Sequence, residues 1–148
     1  MNDAGYLCAA WPKQHGGAGL SDMQQAILNE ELARADAPTP LGDMGLMWVG
    51  PAVLRYGTEE QKQRFLPKIA NGQEAWCQLF SEPGAGSDLA SLACKAVRDG
   101  DEFVVTGQKV WNSAAQFCNW GMLLMRSNPD VPKHQGITFI MVPMDSPG

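Results

Sequence analysis

No apolar run in this chain approaches the ~18 residues that a membrane-spanning helix needs. No basic stretch leads into an apolar core at Met1–Ala10, so no export signal is expected and a cytoplasmic setting is the default. Lysine and arginine, 11 in all against 16 aspartates and glutamates, stand singly. A net charge of −5 with no basic run or stripe argues against nucleic acid and against an anionic membrane surface as partners. It leaves phosphate-bearing ligands open, because a few backbone N–H groups can bind a phosphate inside an acidic protein. The four cysteines, Cys8, Cys77, Cys94 and Cys118, are widely spaced and form no CxxC. Neither a zinc site nor a reactive dithiol is expected, and the thiols read as reduced, buried small hydrophobes. The two histidines, His15 and His134, sit in turn-like sequence and point to no metal site.

What is present is an ordinary globular composition, 45% hydrophobic over 148 residues, whose character changes near residue 73. Before that point the pattern is helical. Trp11–Leu20 reads as a loop. Ser21 with Gln24 forms a capping-box pattern, and Ile27, Leu28, Leu32 and Ala35 recur at helical spacing after it. Ala37–Pro40 stops that helix. Leu41–Tyr56 reads as a largely buried helix kinked or restarted at Pro51. Its Met44, Met47 and Trp48 are core residues or a pocket wall. Thr58 with Gln61 is a second capping box, opening a helix that Pro67 should interrupt before Ala70.

After residue 73 strands are expected at Ala75–Ser81, Leu92–Arg98, Glu102–Thr106, Lys109–Asn112, Gly121–Arg126 and Ile137–Val142. Asp99-Gly100 marks a hairpin, read as a type I′ turn. The expected class is α+β: a helical segment over 1–73, then an antiparallel β domain over 74–148.

The segment with most chemistry is Ser81-Glu82-Pro83-Gly84-Ala85-Gly86-Ser87-Asp88, directly after the apolar run Trp76–Phe80. Gly84 and Gly86 allow close approach of backbone to a ligand, and Ser81 and Ser87 can donate or accept hydrogen bonds. Three familiar motifs fail on their residues. A dinucleotide fingerprint would need glycine where Leu89 stands, a nucleophile elbow would need glycine at Ala85, and a P-loop would need Gly-Lys-Ser/Thr. Spacing alone leaves an ordinary surface turn.

Yet Trp76–Asp88 resembles the signature of acyl-CoA dehydrogenases, and further blocks follow in the family's order. These are Gly107-Gln108-Lys109-Val110-Trp111-Asn112-Ser113 with Asn119-Trp120, and Gly136–Phe139 with Val142-Pro143-Met144. Upstream, Gly57–Lys62 with Leu66-Pro67-Lys68 resembles the end of the family's helical domain, and Trp11–Gly17 its opening loop.

The resemblance implies FAD as cofactor, with Gln78, Phe80, Ser81, Trp111 and Ser113 at flavin-contacting positions and Ser87 at the acyl-CoA thioester tail. Ser81 and Ser113 would offer hydroxyl or backbone N–H groups to the isoalloxazine, and Trp111 would lie against the ring; otherwise Trp111 is a core residue on a strand. Gln78 departs from the aromatic common at its place, so only its backbone contact carries over. The implied reaction is α,β-dehydrogenation of an acyl-CoA, with electrons leaving to an electron-transfer flavoprotein. In the family the base is a glutamate of a C-terminal helical bundle, and no glutamate here matches it. Glu82 reads as a structural turn carboxylate. The chain is therefore expected to be a fragment, inactive alone and homo- or hetero-oligomeric in its longer form. The alternatives are a non-catalytic partner subunit and a related flavin oxidase or monooxygenase.

Overall fold

The computed structural model describes residues 4–38 and 44–147 and divides into two compact units, residues 1–75 and 76–148. Thr39, Pro40 and the first residues of the second expected helix, 41–43, lie outside the described residues.

The first unit is helical: α1 (Asp22–Arg34), a wide turn at Gly45–Val49 continued by α2 (Gly50–Tyr56), and α3 (Glu59–Ala70). Both capping boxes form as the sequence requires. Ser21 Oγ accepts from Gln24 N–H and Thr58 Oγ1 from Gln61 N–H, and each glutamine reaches back to the cap N–H at 2.9 Å. The apolar stripe of α1 stays open among the described residues, with Ile27 exposed and Leu28 and Leu32 half buried.

Of the two proline expectations, one holds and one needs correction. The helix restarts at Pro51 as expected: α2 begins at Gly50 with Pro51 in its first turn, after a π turn over Gly45–Val49 in which Gly50 N–H donates to Gly45 O. A π turn reroutes the backbone around the hydrogen bond that proline cannot make. Pro67, in contrast, does not interrupt α3. Its missing N–H costs roughly 3 kcal/mol. Phe65, Leu66 and Ile69 are buried on the same helix, and each returns about 1.5–3 kcal/mol on leaving water. Burial wins. The helix before Tyr56 is also less buried than its composition implies: Val49 and Val53 face inward, while Met47 and Trp48 are exposed.

The second unit is a five-stranded sheet of β1 (Trp76–Leu79), β2 (Lys95–Asp99), β3 (Glu102–Thr106), β4 (Trp120–Arg126) and β5 (Ile137–Pro143). β4 is the centre. β5 lies antiparallel along one edge, from Trp120↔Pro143 to Arg126↔Ile137. On its other edge β1 runs parallel, Trp76↔Trp120 to Leu79↔Leu123, and β2 joins beyond it at Lys95↔Arg126, also parallel. The sheet is therefore mixed, not antiparallel as expected. Alternation of apolar and polar residues reports which face is buried but not strand direction. Cys94, Ala96, Leu123 and Met125 form the buried face, with Leu79, Ile140 and Val142 against them.

The β2–β3 hairpin forms with Asp99↔Glu102 as its last pair, so the loop residues are Gly100 and Asp101. Of these only Gly100 has positive φ (60°), the pattern of a type II′ turn and not the expected I′. Lys109–Asn112 forms no ladder strand. It follows the outer edge of β1 through Val110 N–H to Ser81 O (2.9 Å), until a positive φ at Trp111 ends extended geometry.

Candidate functional site

The Ser81–Asp88 segment begins where β1 ends. Glu82 N–H donates to Ala85 O (2.9 Å) and Ala85 N–H to Glu82 O (3.1 Å), which closes a turn with Pro83 and Gly84 at its centre. Proline suits that place because its fixed φ matches the first central position of a β-turn.

The Glu82 side chain points inward from this turn. One carboxylate oxygen accepts from Ala93 N–H (2.7 Å) and the other from Cys94 N–H (2.9 Å) and Lys109 Nζ (2.7 Å). Lys109 Nζ also donates to Phe80 O (3.1 Å), and both side chains are only 8% exposed. Burial opposes the charge on Glu82. The Lys109 ammonium and the two N–H groups outweigh it, so its carboxyl is held below the usual carboxylate range. Glu82 is thus the structural carboxylate expected from the sequence.

From Lys109 the chain runs on beside β1. Asn112, its amide oriented to donate, reaches Val110 O (2.9 Å) and Gln78 O (3.1 Å). With the Val110–Ser81 bond, this brings the ends of two segments together. Gln78, Phe80 and Ser81 are half buried at the end of β1, and Trp111 and Ser113 are exposed on the neighbouring segment. Trp111 is not a core tryptophan: its side chain is 89% exposed and its φ is 62°. A bulky residue in the left-handed region is uncommon and marks a constrained position. Ser113 N–H donates to Trp111 O (3.0 Å), and Ala114, also left-handed, leads into the Ala115–Phe117 turn.

Ser87 stands apart from these contacts, exposed in the bend that leads to the Leu89–Ser91 turn. Lys133 Nζ pairs with the neighbouring Asp88 (2.7 Å). Arg126 supports the same region from β4, donating to Ala90 O (2.6 Å), Leu92 O (3.2 Å) and Lys133 O (2.6 Å).

Reading the sequence missed the Glu82–Lys109 pair, though both residues lie inside blocks it singled out. Their separation of 27 positions carries no periodic signal. What the edge offers is an exposed indole on the segment that Val110 N–H ties to Ser81 O. The carboxylate next to Ser81, that of Glu82, is already neutralised by Lys109. Among the described residues no group of histidine, cysteine, aspartate or glutamate is arranged to hold a metal. Such a surface suits a planar, largely neutral heteroaromatic ring.

Comparison with known proteins gives the same direction. The family model for the acyl-CoA dehydrogenase N-terminal domain matches residues 1–73, and that for the middle domain matches 77–148. The chain is 47% identical to the acyl-CoA dehydrogenase IpdE1 of Mycobacterium tuberculosis, over 98% of this chain and 38% of that protein. Among solved structures, the ChsE4–ChsE5 complex of M. tuberculosis superposes with a TM-score of 0.86 at 45% identity, covering all of this chain and 38% of that one. A glutaryl-CoA dehydrogenase of Mycobacterium smegmatis, in complex with FADH2, gives a TM-score of 0.77 at 26% identity over 99% of this chain and 36% of its own. The chain thus spans under two-fifths of the length of these relatives.

Proposed function

The chain belongs to the acyl-CoA dehydrogenase family, and from that premise we propose that the β1 end and the Lys109–Ser113 segment form the flavin-facing side of an acyl-CoA dehydrogenase site. The observation that carries the reading is Trp111: an indole 89% exposed, at φ 62°, on the segment bonded to the end of β1. A protein gains nothing from a strained, open tryptophan unless a partner covers it.

In this reading Trp111 would help hold the isoalloxazine by stacking, a contact that contributes about 0.5–1.5 kcal/mol beyond burial. Ser81 and Ser113 donate to the polar atoms of the ring, which favours its electron-rich reduced form. Phe80 and the Gln78 backbone complete the edge, and Ser87 meets the acyl-CoA thioester tail. FAD, when bound, supplies the hydride acceptor for α,β-dehydrogenation of the thioester. The base that removes the α-proton must lie near the α-carbon, across the substrate from the flavin. Glu82 cannot serve, because its carboxylate is committed to Lys109 and two backbone N–H groups. In this reading the base comes from outside this β unit, and the chain by itself is inactive. An electron-transfer flavoprotein would be the electron-accepting partner, and the setting is cytoplasmic.

A second reading, a subunit within a two-chain assembly, is favoured by one observation: the ChsE4–ChsE5 complex is among the structures this chain superposes on. The two readings share the flavin-facing edge and differ in where the base resides.

The test is flavin uptake. The purified chain, mixed with FAD, should quench flavin fluorescence, and Trp111→Ala should abolish most of that quenching. Equal quenching in the parent and in W111A, or none in the parent, removes the proposed role of this edge.

A further inference from the structure

We propose that Glu82 and Lys109 are a positioning pair for the flavin-facing indole: their buried ion pair holds the segment that carries Trp111 against the end of β1 and so sets how tightly the edge receives its ligand. This rests on the flavin reading above and extends it to two residues that lie below the surface.

The argument starts from strain. A large side chain in the left-handed region is strained and persists only where its surroundings over-determine the backbone. On the N-terminal side of Trp111 they do. Lys109 Nζ is fixed by Phe80 O at 3.1 Å and Glu82 at 2.7 Å, and Val110 N–H by Ser81 O at 2.9 Å. Glu82 is held in turn by Ala93 and Cys94 N–H at the approach to β2, and by its own closed turn with Ala85.

One carboxylate therefore joins three stretches of chain: the end of β1, the lead-in to β2 and the segment before Trp111. That segment also has no slack at its start. A Cβ at Gly107 would come within 2.7 Å of Cys94 Cα and 2.8 Å of Cys94 Sγ. Loss of the ammonium frees Lys109 from both acceptors, leaves Glu82 charged and buried, and lets Trp111 relax toward ordinary φ. The indole then meets the flavin from a wider range of orientations, and affinity falls.

The experiment uses the full chain with Lys109→Met, which keeps the stem and removes the charge and its donors, and Lys109→Arg as rescue. Two quantities are read: FAD affinity by fluorescence quenching, and the Trp111 indole N–H resonance, assigned by its loss in Trp111→Phe. The expected result is that K109M weakens FAD binding by tenfold or more and moves or broadens the Trp111 resonance, while K109R restores both. FAD affinity in K109M within twofold of the parent, with the resonance unmoved, overturns the pair's role. If the parent binds no FAD, the flavin reading fails by itself; the pair is then judged on the resonance alone, where a shift in K109M supports it and an unmoved line overturns it. Should K109M fail to fold, Glu82→Gln replaces it. That variant removes the negative charge, keeps one acceptor oxygen where the Ala93 and Cys94 N–H groups met two, and is read by the same two criteria.

Discussion

Gly50 lies flat against the indole of Trp11: a Cβ at Gly50 would stand 1.9 Å from Trp11 Cζ2 and 2.3 Å from Cη2. Trp11 is 4% exposed, so its ring has little room to move aside. Glycine inside a helix ordinarily costs about 1 kcal/mol relative to alanine, and here close approach to the ring requires it. Gly50→Ala should therefore destabilise the helical unit, by about 1–3 kcal/mol as in other overpacked cores. Urea unfolding followed by tryptophan fluorescence measures it. A stabilised G50A would show that Trp11 does not occupy this contact.

The β2–β3 hairpin makes a similar demand at Gly100, whose φ of 60° suits glycine in a two-residue loop. Gly100→Ala should cost roughly 1–2 kcal/mol. The loss should appear first as faster amide exchange on β3, whose residues are all exposed. Unchanged exchange at Val104, whose N–H faces Val97 of β2, in G100A would contradict the turn geometry.

These two glycines show what kind of information the sequence held. Signals that act within four residues were legible. Ser21 with Gln24 and Thr58 with Gln61 cap their helices as read, and the hairpin falls where Asp99-Gly100 marks it. The turn type was not legible, because it depends on which residue enters the loop first. Features settled by distant partners were also hidden. The parallel run of β1 beside β4 depends on how 40 intervening residues return, from Leu79 to Trp120. The continuity of α3 through Pro67 depends on what Phe65 and Ile69 bury. At the candidate site, motif resemblance picked out Gln78, Phe80, Ser81, Trp111 and Ser113, but gave no hint of a left-handed Trp111 or of the pair beneath it.

The cysteines should differ in reactivity despite all four being free thiols. Burial first, and then the neighbouring Cys118 thiol, push Cys77 up to about 11. At pH 8 such a thiol is only about one part in a thousand thiolate, the reactive form. Cys118 is half buried, and Cys77's hydrogen bond partly offsets the upward push that burial gives it. Iodoacetamide at pH 8 should label Cys118 first in the folded chain and reach Cys77 only in denaturant. Mass mapping of the two peptides reads the order, and equal native labelling would mean that Cys77 is not enclosed.

Stability should fall in acid through Glu82 and Glu74. For each, burial opposes the charge, but basic partners prevail: Lys109 with two backbone N–H groups for Glu82, and Lys68 with Arg64 for Glu74. Both folded-state carboxyls therefore titrate below the ordinary glutamate value of about 4.3. A depressed folded value means that the unfolded chain takes up protons first as pH drops. The stabilisation is complete above about pH 4.3 and is lost progressively as pH falls through the folded values. Urea midpoints between pH 7 and pH 3 should decline mainly in that lower window. Glu82→Gln should lower stability at pH 7 and flatten the acid slope, because the group that titrates is gone. Breaking a buried pair typically costs about 3–5 kcal/mol, through the charge left without its partner. The neutral amide leaves Lys109 uncompensated, though still bonded to Phe80 O, and offers one acceptor oxygen where Ala93 and Cys94 N–H met two, so the loss should fall within that range. An E82Q chain whose midpoint matched the parent at pH 7 and fell as steeply in acid would show that Glu82 contributes no charge-dependent stability.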